Sequence, residues 1–245
     1  MPIATPLTAL LGIKHPVLLA PMDTLAGSRL VRAVSKAGGF GILGGGYGDR
    51  ARLETETAKL RDFSGPFGIG FITWSLAKRA ELLGIALAAR PRAIMLSFGD
   101  PAPFAAKIRD AGARLICQVQ SEDMAKQALD AGADILIAQG TEAGGHGASR
   151  TTIDIVPAIV DLAAGRVPVV AAGGIADGRG LAAMMMLAHP ACCSERASTQ
   201  ASRPMAPTRR SGGYAGRKAA KRCAASSSTC RETMSGRRRS PDAAW

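Results

Sequence analysis

A histidine stands inside a glycine-rich segment, residues 139–147, which reads Gln-Gly-Thr-Glu-Ala-Gly-Gly-His-Gly. Glycines let the backbone approach a bulky planar ligand closely. Imidazole in general titrates in the range that proton transfer requires, so His146 is a candidate general base. An incidental histidine in a glycine-rich turn is the competing interpretation, and the segment alone does not decide between them. We give His15 and His189 no chemical role, because one precedes an apolar run and the other opens a segment of different composition.

A second candidate site is the glycine pair Gly173 and Gly174, which follows the apolar residues Val-Val-Ala-Ala at 169–172. A strand that runs into paired glycines and then into a helix exposes N–H groups that can hold a phosphate. In barrels this phosphate site is commonly built from the loops after strands seven and eight. Neither GxGxxG nor a Walker sequence opens a βαβ unit, so Rossmann-type dinucleotide binding is not predicted.

Two further segments at strand ends are weaker candidates. Met22, in Ala-Pro-Met at 20–22, could place its thioether against an aromatic cofactor ring, although a core methionine fits the sequence equally well. Residues 44–46 are three glycines that form either part of a site or only a flexible loop. Four of the five cysteines lie beyond residue 188 without a CxxC pair or a histidine at ligand spacing, so no metal site is predicted.

Short apolar runs recur along the chain, and each is followed by a helical pattern. The predicted strands are 16–21, 40–45, 67–72, 93–99, 114–119, 135–140 and 167–174. Nearly continuous apolar runs fit parallel strands that are covered on both faces. Ser121–Ala131 is typical of the intervening helices, and a last helix is predicted from about Gly178 through Leu187. Seven β-α units in tandem predict an α/β fold of the (β/α)8 TIM-barrel type whose eighth strand is missing.

The composition changes sharply at about residue 188. Residues 189–245 contain 12 Lys and Arg, 3 Asp and Glu, and no Ile, Leu, Val or Phe. Such a segment buries too little apolar surface to offset the entropy of ordering it. We therefore predict two parts, an incomplete barrel at 1–188 and a disordered basic tail at 189–245. Most of the net charge of +12 lies in this tail.

An out-of-frame translation that begins near Ala188 would account for this tail. A shifted frame permits Ala-Ser-Gly-Val-Leu-Leu-Gly-Thr-Arg-Phe-Tyr for residues 189–199. That string has the form of a buried eighth strand that ends in a phosphate loop. A natural basic extension is the alternative.

Together these segments resemble the nitronate monooxygenase family, formerly called 2-nitropropane dioxygenases. The resemblance covers about residues 3–187 and rests on APM, AGGFGILGGG, QGTEAGGH and PVVAAGGIADG in this order and spacing. It implies an FMN-binding barrel in which His146 is the catalytic base. It also implies that FMN contacts Met22, Gln139, Gly144, Gly173 and Gly174, with the last two at its phosphate. This chain has Gly70 where many such proteins carry Asn.

The resemblance implies that an alkyl nitronate, or the corresponding nitroalkane, binds above the FMN ring and reacts with O2 to give a carbonyl compound and nitrite. The nearest alternative is an FMN-dependent enoyl-acyl-carrier-protein reductase, which has a very similar EAGGH loop and would consume NAD(P)H. The third alternative is a non-catalytic product. Its tail would bind polyanions nonspecifically, through Arg209-Arg210 and Arg237–Arg239.

The sequence predicts neither a specific nucleic-acid partner nor a membrane partner. No aromatic platform accompanies the arginines of the tail, and no apolar run reaches membrane-spanning length. The first residues lack the basic-then-apolar pattern of a signal peptide, so we expect a cytoplasmic protein. The oligomeric state is left open.

Overall fold

The computed structural model describes residues 2–147 and 149–188. In this part of the chain six parallel strands form one sheet in chain order: β1 Gly41–Gly44, β2 Phe67–Ile72, β3 Ala93–Ser97, β4 Arg114–Val119, β5 Ile135–Gln139 and β6 Val169–Ala172. The helices of the same part are α1 Pro6–Leu11, α2 Ser28–Lys36, α3 Arg50–Ala58, α4 Thr73–Leu76, α5 Glu81–Ala88, α6 Ala102–Asp110, α7 Glu122–Asp130, α8 Thr152–Ala163 and α9 Gly178–Leu187.

The first predicted strand, 16–21, is not a strand of the sheet. It forms one parallel bridge, between Leu18 and Phe40, and the amide of Phe40 donates to the carbonyl of Val17 at 2.9 Å. Proline stands at both ends of this run, and proline has no N–H to donate to a ladder. The segment therefore lies beside β1 without extending the ladder, and six of the seven predicted strands are confirmed.

Side chains alternate between the two faces of the sheet. One face packs against the helices and includes Ile94, Leu96 and Cys117, whereas Met95 and Ile116 belong to a separate buried cluster with α1. The period of two along each strand produces this division. Burial of both faces explains why the strands read as continuous apolar runs. The curled parallel sheet, with helices following its strands, is part of a (β/α)8 TIM barrel, as predicted.

Helix α1 lies at the amino ends of the strands. The guanidinium of Arg92, the residue before β3, donates to the carbonyl of Leu10 at 3.1 Å. Leu7 and Leu11 of the same helix pack in the cluster on the concave face of the sheet. The amino end of the sheet is thus covered, and the carboxyl end is where a site can open.

The two helices predicted most explicitly begin where expected. The hydroxyl of Ser121 caps α7 by accepting from the amide of Met124, and the carboxylate of Asp177 caps α9. No residue of α9 is buried, and all four residues of β6 are only half-buried. Within the described residues β6 pairs with β5 alone. The predicted disordered basic tail, at 189–245, lies outside the described residues.

None of the described helices is both long and apolar enough to span a membrane.

Candidate active site

A cluster of amide side chains joins the carboxyl ends of β3, β4 and β5. The hydroxyl of Ser97 donates to Oε1 of Gln118 at 3.1 Å, and Nε2 of Gln118 donates to Oε1 of Gln139. Nε2 of Gln120 donates to the same oxygen at 2.9 Å. Gln118 and Gln139 follow Ile116 and Ile137 by two positions, so they share the concave face of the sheet.

Gln139 holds the glycine-rich loop that follows it. The residue is 3% exposed, and its Nε2 donates to the carbonyl of Gly144 at 3.3 Å. The carbonyl oxygen of its amide is already occupied by Gln118 and Gln120. One N–H of the amide remains for a further acceptor, because a primary amide has two donors.

His146 is exposed at this edge of the sheet. Its carbonyl accepts from Nε2 of Gln120 at 2.7 Å. Its imidazole lies against the ring of Phe98, with the ring centroids 4.8 Å apart and the planes at 47°. The predicted base therefore stands at the carboxyl mouth, where residues from β3, β4 and β5 meet.

The other half of the glycine-rich loop is tied to the start of α8. The carboxylate of Glu142 accepts from the amide of Thr152 at 2.8 Å and from its hydroxyl at 2.9 Å. The amides of a helix N-terminus favour a negative charge. These hydrogen bonds hold the pKa of the Glu142 carboxyl below its ordinary value of 4.5.

Because of this depressed pKa, replacing Glu142 by glutamine should change how stability depends on pH. The contribution of a carboxyl whose folded-state pKa is lowered is complete above the unfolded value and is lost as the pH falls through the folded value. We expect the unaltered chain to have a higher Tm than E142Q near neutral pH. The difference should shrink as the pH falls below about 4.5. Thermal melting of both chains across this range measures it, and a difference that is constant with pH would contradict the assignment.

The glycine pair after β6 packs against this same loop. Gly173 has φ of +125°, and a Cβ there would lie 2.5 Å from Oγ1 of Thr152 and 2.9 Å from the amide of Ala143. Gly174 has φ of +69°, and its Cβ would approach that of Glu142 to 3.2 Å. The structure thus brings both predicted glycine segments together at the mouth.

Met22 lies at a different point of the edge, beside the loop after β1. The residue is 48% exposed, which excludes the alternative that it is a core methionine. Its carbonyl accepts from the amides of Leu25 and Ala26 in a turn.

The three glycines at the end of β1, residues 44–46, allow close packing. A Cβ on Gly44 would lie 2.5 Å from the carbonyl oxygen of Asp23, and a Cβ on Gly46 would lie 2.4 Å from its carboxylate. The guanidinium of Arg52 donates to the carbonyls of both Gly44 and Asp23. At Gly70 a Cβ would lie 2.5 Å from the ring of Pro21, so any side chain there requires the proline to move.

Among the residues of the site, Gln118, Gln120 and Phe98 were missed in the sequence. The two glutamines did carry a signal, because they are polar residues two positions apart, within and directly after the apolar run Leu115–Val119. Phe98 carried none, since an aromatic residue at a strand end is ordinary.

A family model described as nitronate monooxygenase matches residues 4–75 and 71–192 of this chain. The "Probable nitronate monooxygenase" of Staphylococcus saprophyticus is 32% identical over 234 residues, covering 76% of this chain and 65% of that protein. The structure of FabK from Thermotoga maritima superposes with a TM-score of 0.70 at 34% identity, covering 76% of this chain and 59% of that one.

A relative from Mycobacterium tuberculosis has a different name, "(3aS,4S,5R,7aS)-5-hydroxy-7a-methyl-1-oxo-octahydro-1H-indene-4-carboxyl-CoA dehydrogenase". It is 35% identical over 187 residues, which are 76% of this chain and 52% of that protein. The chain therefore spans between about half and two thirds of the length of these relatives. The family match itself covers most of the chain, including every strand described above. This chain belongs to the nitronate monooxygenase family of flavin-dependent oxidoreductases.

Proposed function

We propose that this chain uses FMN and O2 to oxidise alkyl nitronates or nitroalkanes to carbonyl compounds and nitrite, with His146 as the catalytic base. The observation that carries the proposal is the exposed imidazole of His146, held at the carboxyl mouth of a partial barrel of this family. Active sites of this fold lie at that mouth.

The glycine-rich loop fits a planar cofactor. A Cβ placed on Gly144, Gly145 or Gly147 would meet no heavy atom within 4 Å, so the backbone there borders open space. Backbone without side chains permits the close approach that a flavin ring needs. The remaining N–H of Gln139 and the exposed thioether of Met22 are further contacts that we propose for FMN. Gly173 and Gly174 are proposed for its phosphate.

FMN, when bound, would supply the redox chemistry, and the chain's residues would supply binding and proton transfer. A ring nitrogen of His146 would take the α-proton of a neutral nitroalkane, which converts the substrate to its nitronate. The imidazolium so formed would then stabilise the negative charge of the nitronate. A substrate that arrives already as the nitronate would need only this second role.

An open glycine allows the FMN contact to be tested apart from stability. Gly144→Ala should leave the free energy of unfolding unchanged, because no described atom lies within 4 Å of the new methyl group. If FMN approaches this backbone, the methyl group should weaken FMN binding about tenfold, the order expected for overpacking a close contact. Absorbance of bound flavin and equilibrium dialysis with FMN measure the effect.

Gly84→Ala in α5 is the matched control, since only the end of the Lys107 side chain lies within 4 Å of its added methyl. Equal FMN affinity in the two variants would exclude Gly144 as a contact.

The direct test of function is turnover by the full chain with 2-nitropropane or its nitronate, O2 and FMN, without NAD(P)H. Nitrite release together with O2 consumption is the expected result. Nitrite formation that requires NAD(P)H, or none at all with flavin bound, would contradict the proposal.

A reductase that acts on enoyl thioesters is the second candidate. The similarity to FabK, an enoyl-acyl-carrier-protein reductase, at 34% identity with a TM-score of 0.70, favours it. NAD(P)H oxidation that depends on an enoyl thioester, with no nitrite from nitronates, is the result that would support this candidate instead.

A further inference from the structure

Phe98, the residue directly after β3, has a backbone conformation that bulky residues rarely adopt. Its φ is +62°, in the left-handed region, where a Cβ crowds the following carbonyl. Arg90 and Ala164 also have positive φ, but they follow the helices α5 and α8, where a left-handed residue is an ordinary way to end a helix. Strained residues of this kind persist where the surroundings fix them, often at functional sites.

The strained backbone brings the ring of Phe98 to the predicted base. The centroids of the Phe98 and His146 rings are 4.8 Å apart at 47°, within the range of favourable aromatic pairs. On the backbone side, Nε2 of Gln120 donates to the carbonyl of His146 at 2.7 Å. The same nitrogen donates to Gln139, which is buried, so Gln120 is itself held in place.

His146 needs such contacts because its immediate neighbours in the chain do not fix it. It stands between Gly145, with φ of +92°, and Gly147, and neither glycine has a heavy atom near its missing Cβ. Glycine places the weakest restraint on the backbone of any residue. A general base must nevertheless lie within hydrogen-bond reach of the proton that it removes.

We propose that Phe98 and Gln120 are positioning residues that fix the imidazole and the backbone of His146 at the mouth. The proposal rests on the proposed function for the role of His146 as base, whereas the contacts themselves can be tested without turnover. In this proposal, the left-handed backbone of Phe98 serves to place its ring against the imidazole of His146.

The test compares Phe98→Gly with Arg90→Gly in the full chain. Glycine accepts φ of about +60° without strain, and this relief offsets the loss of the half-buried Phe98 ring, so neither variant should lower the unfolding midpoint by much. NMR of isotope-labelled histidine, with the His146 signals identified by their loss in His146→Gln, reports the ring contact. We expect the His146 signals to lose the ring-current shift of Phe98 in F98G and to be unchanged in R90G.

Turnover of a neutral nitroalkane should fall about 10²-fold in F98G through kcat, as expected for a misplaced catalytic group, and not in R90G. Phe98→Tyr, which keeps the aromatic ring, should restore most of both the shift and the rate. Gln120→Met, which has similar length but no donor, should move the His146 signals as well.

Unchanged His146 signals in F98G would overturn the proposal. So would a loss of stability in F98G that accounts for its lost rate, because Phe98 would then be structural. If the unaltered chain does not turn over nitroalkanes, the function proposed above fails, and the NMR comparison still decides whether Phe98 and Gln120 position His146.

Discussion

His146→Gln is expected to lower kcat/KM for a neutral nitroalkane by about 10²- to 10⁴-fold, the range in which general bases contribute. Glutamine approximates the size of histidine but cannot accept a proton at neutral pH. The imidazole is exposed and contacts Phe98 at its ring, so its removal should disturb little of the core. Initial rates of nitrite release with 2-nitropropane measure the effect.

The same variant should lose less activity with the preformed nitronate, because that substrate has already lost its α-proton. Flavin content should match that of the unaltered chain. His15→Gln is the control, since His15 lies before the bridged segment, toward the covered amino end of the sheet. Equal losses with the nitroalkane and the nitronate would show that His146 acts by binding alone. Equal losses of activity in H15Q and H146Q would contradict a catalytic role for His146.

Gly140→Ala is expected to be the most destabilising glycine-to-alanine substitution at the site. A Cβ there would lie 2.2 Å from the amide nitrogen of Thr152 and 2.5 Å from its Cα. These are backbone atoms at the start of α8, so no side chain can rotate away. The helix or β5 must move, at a cost of about 3 kcal/mol, the upper end for overpacking.

Displacement of α8 would also separate Thr152 from the carboxylate of Glu142, which holds the glycine-rich loop. We therefore expect a lower urea midpoint together with lost flavin binding. Gly144→Ala, four residues along the same loop, is the matched control for stability because its added methyl group meets open space. Equal urea midpoints for the two variants would contradict the packing seen at Gly140.

The sequence predicted the strands well because both faces of a covered parallel sheet must be apolar. It also placed the 139–147 segment correctly at the carboxyl edge, since the chain direction of a strand fixes which end its following loop occupies. It was wrong about 16–21, where apolar character suggested a strand but the flanking prolines limit pairing to a single bridge. Apolarity indicates burial and does not by itself determine hydrogen bonding.

Glycine-rich segments were recognisable in the sequence, but the reason for each glycine was not. Gly140 and Gly173 are required by close contact with Thr152, whereas Gly144 borders open space. These three look alike as residues in a sequence. The distance from each glycine to the neighbouring element shows whether the glycine is needed for packing or borders open space. That distance depends on how α8 docks.

The residue types and their spacing thus determined the partial barrel, the position of His146 at its mouth and the family resemblance. The tertiary structure decided what holds that histidine: the amide cluster formed by Gln118, Gln120 and Gln139, and the left-handed backbone of Phe98. Local patterns encode burial and direction along the chain, because these depend on neighbours in sequence. Contacts between strand ends depend on register and on backbone angles imposed by residues far along the chain, so they emerge only when the sheet has curled.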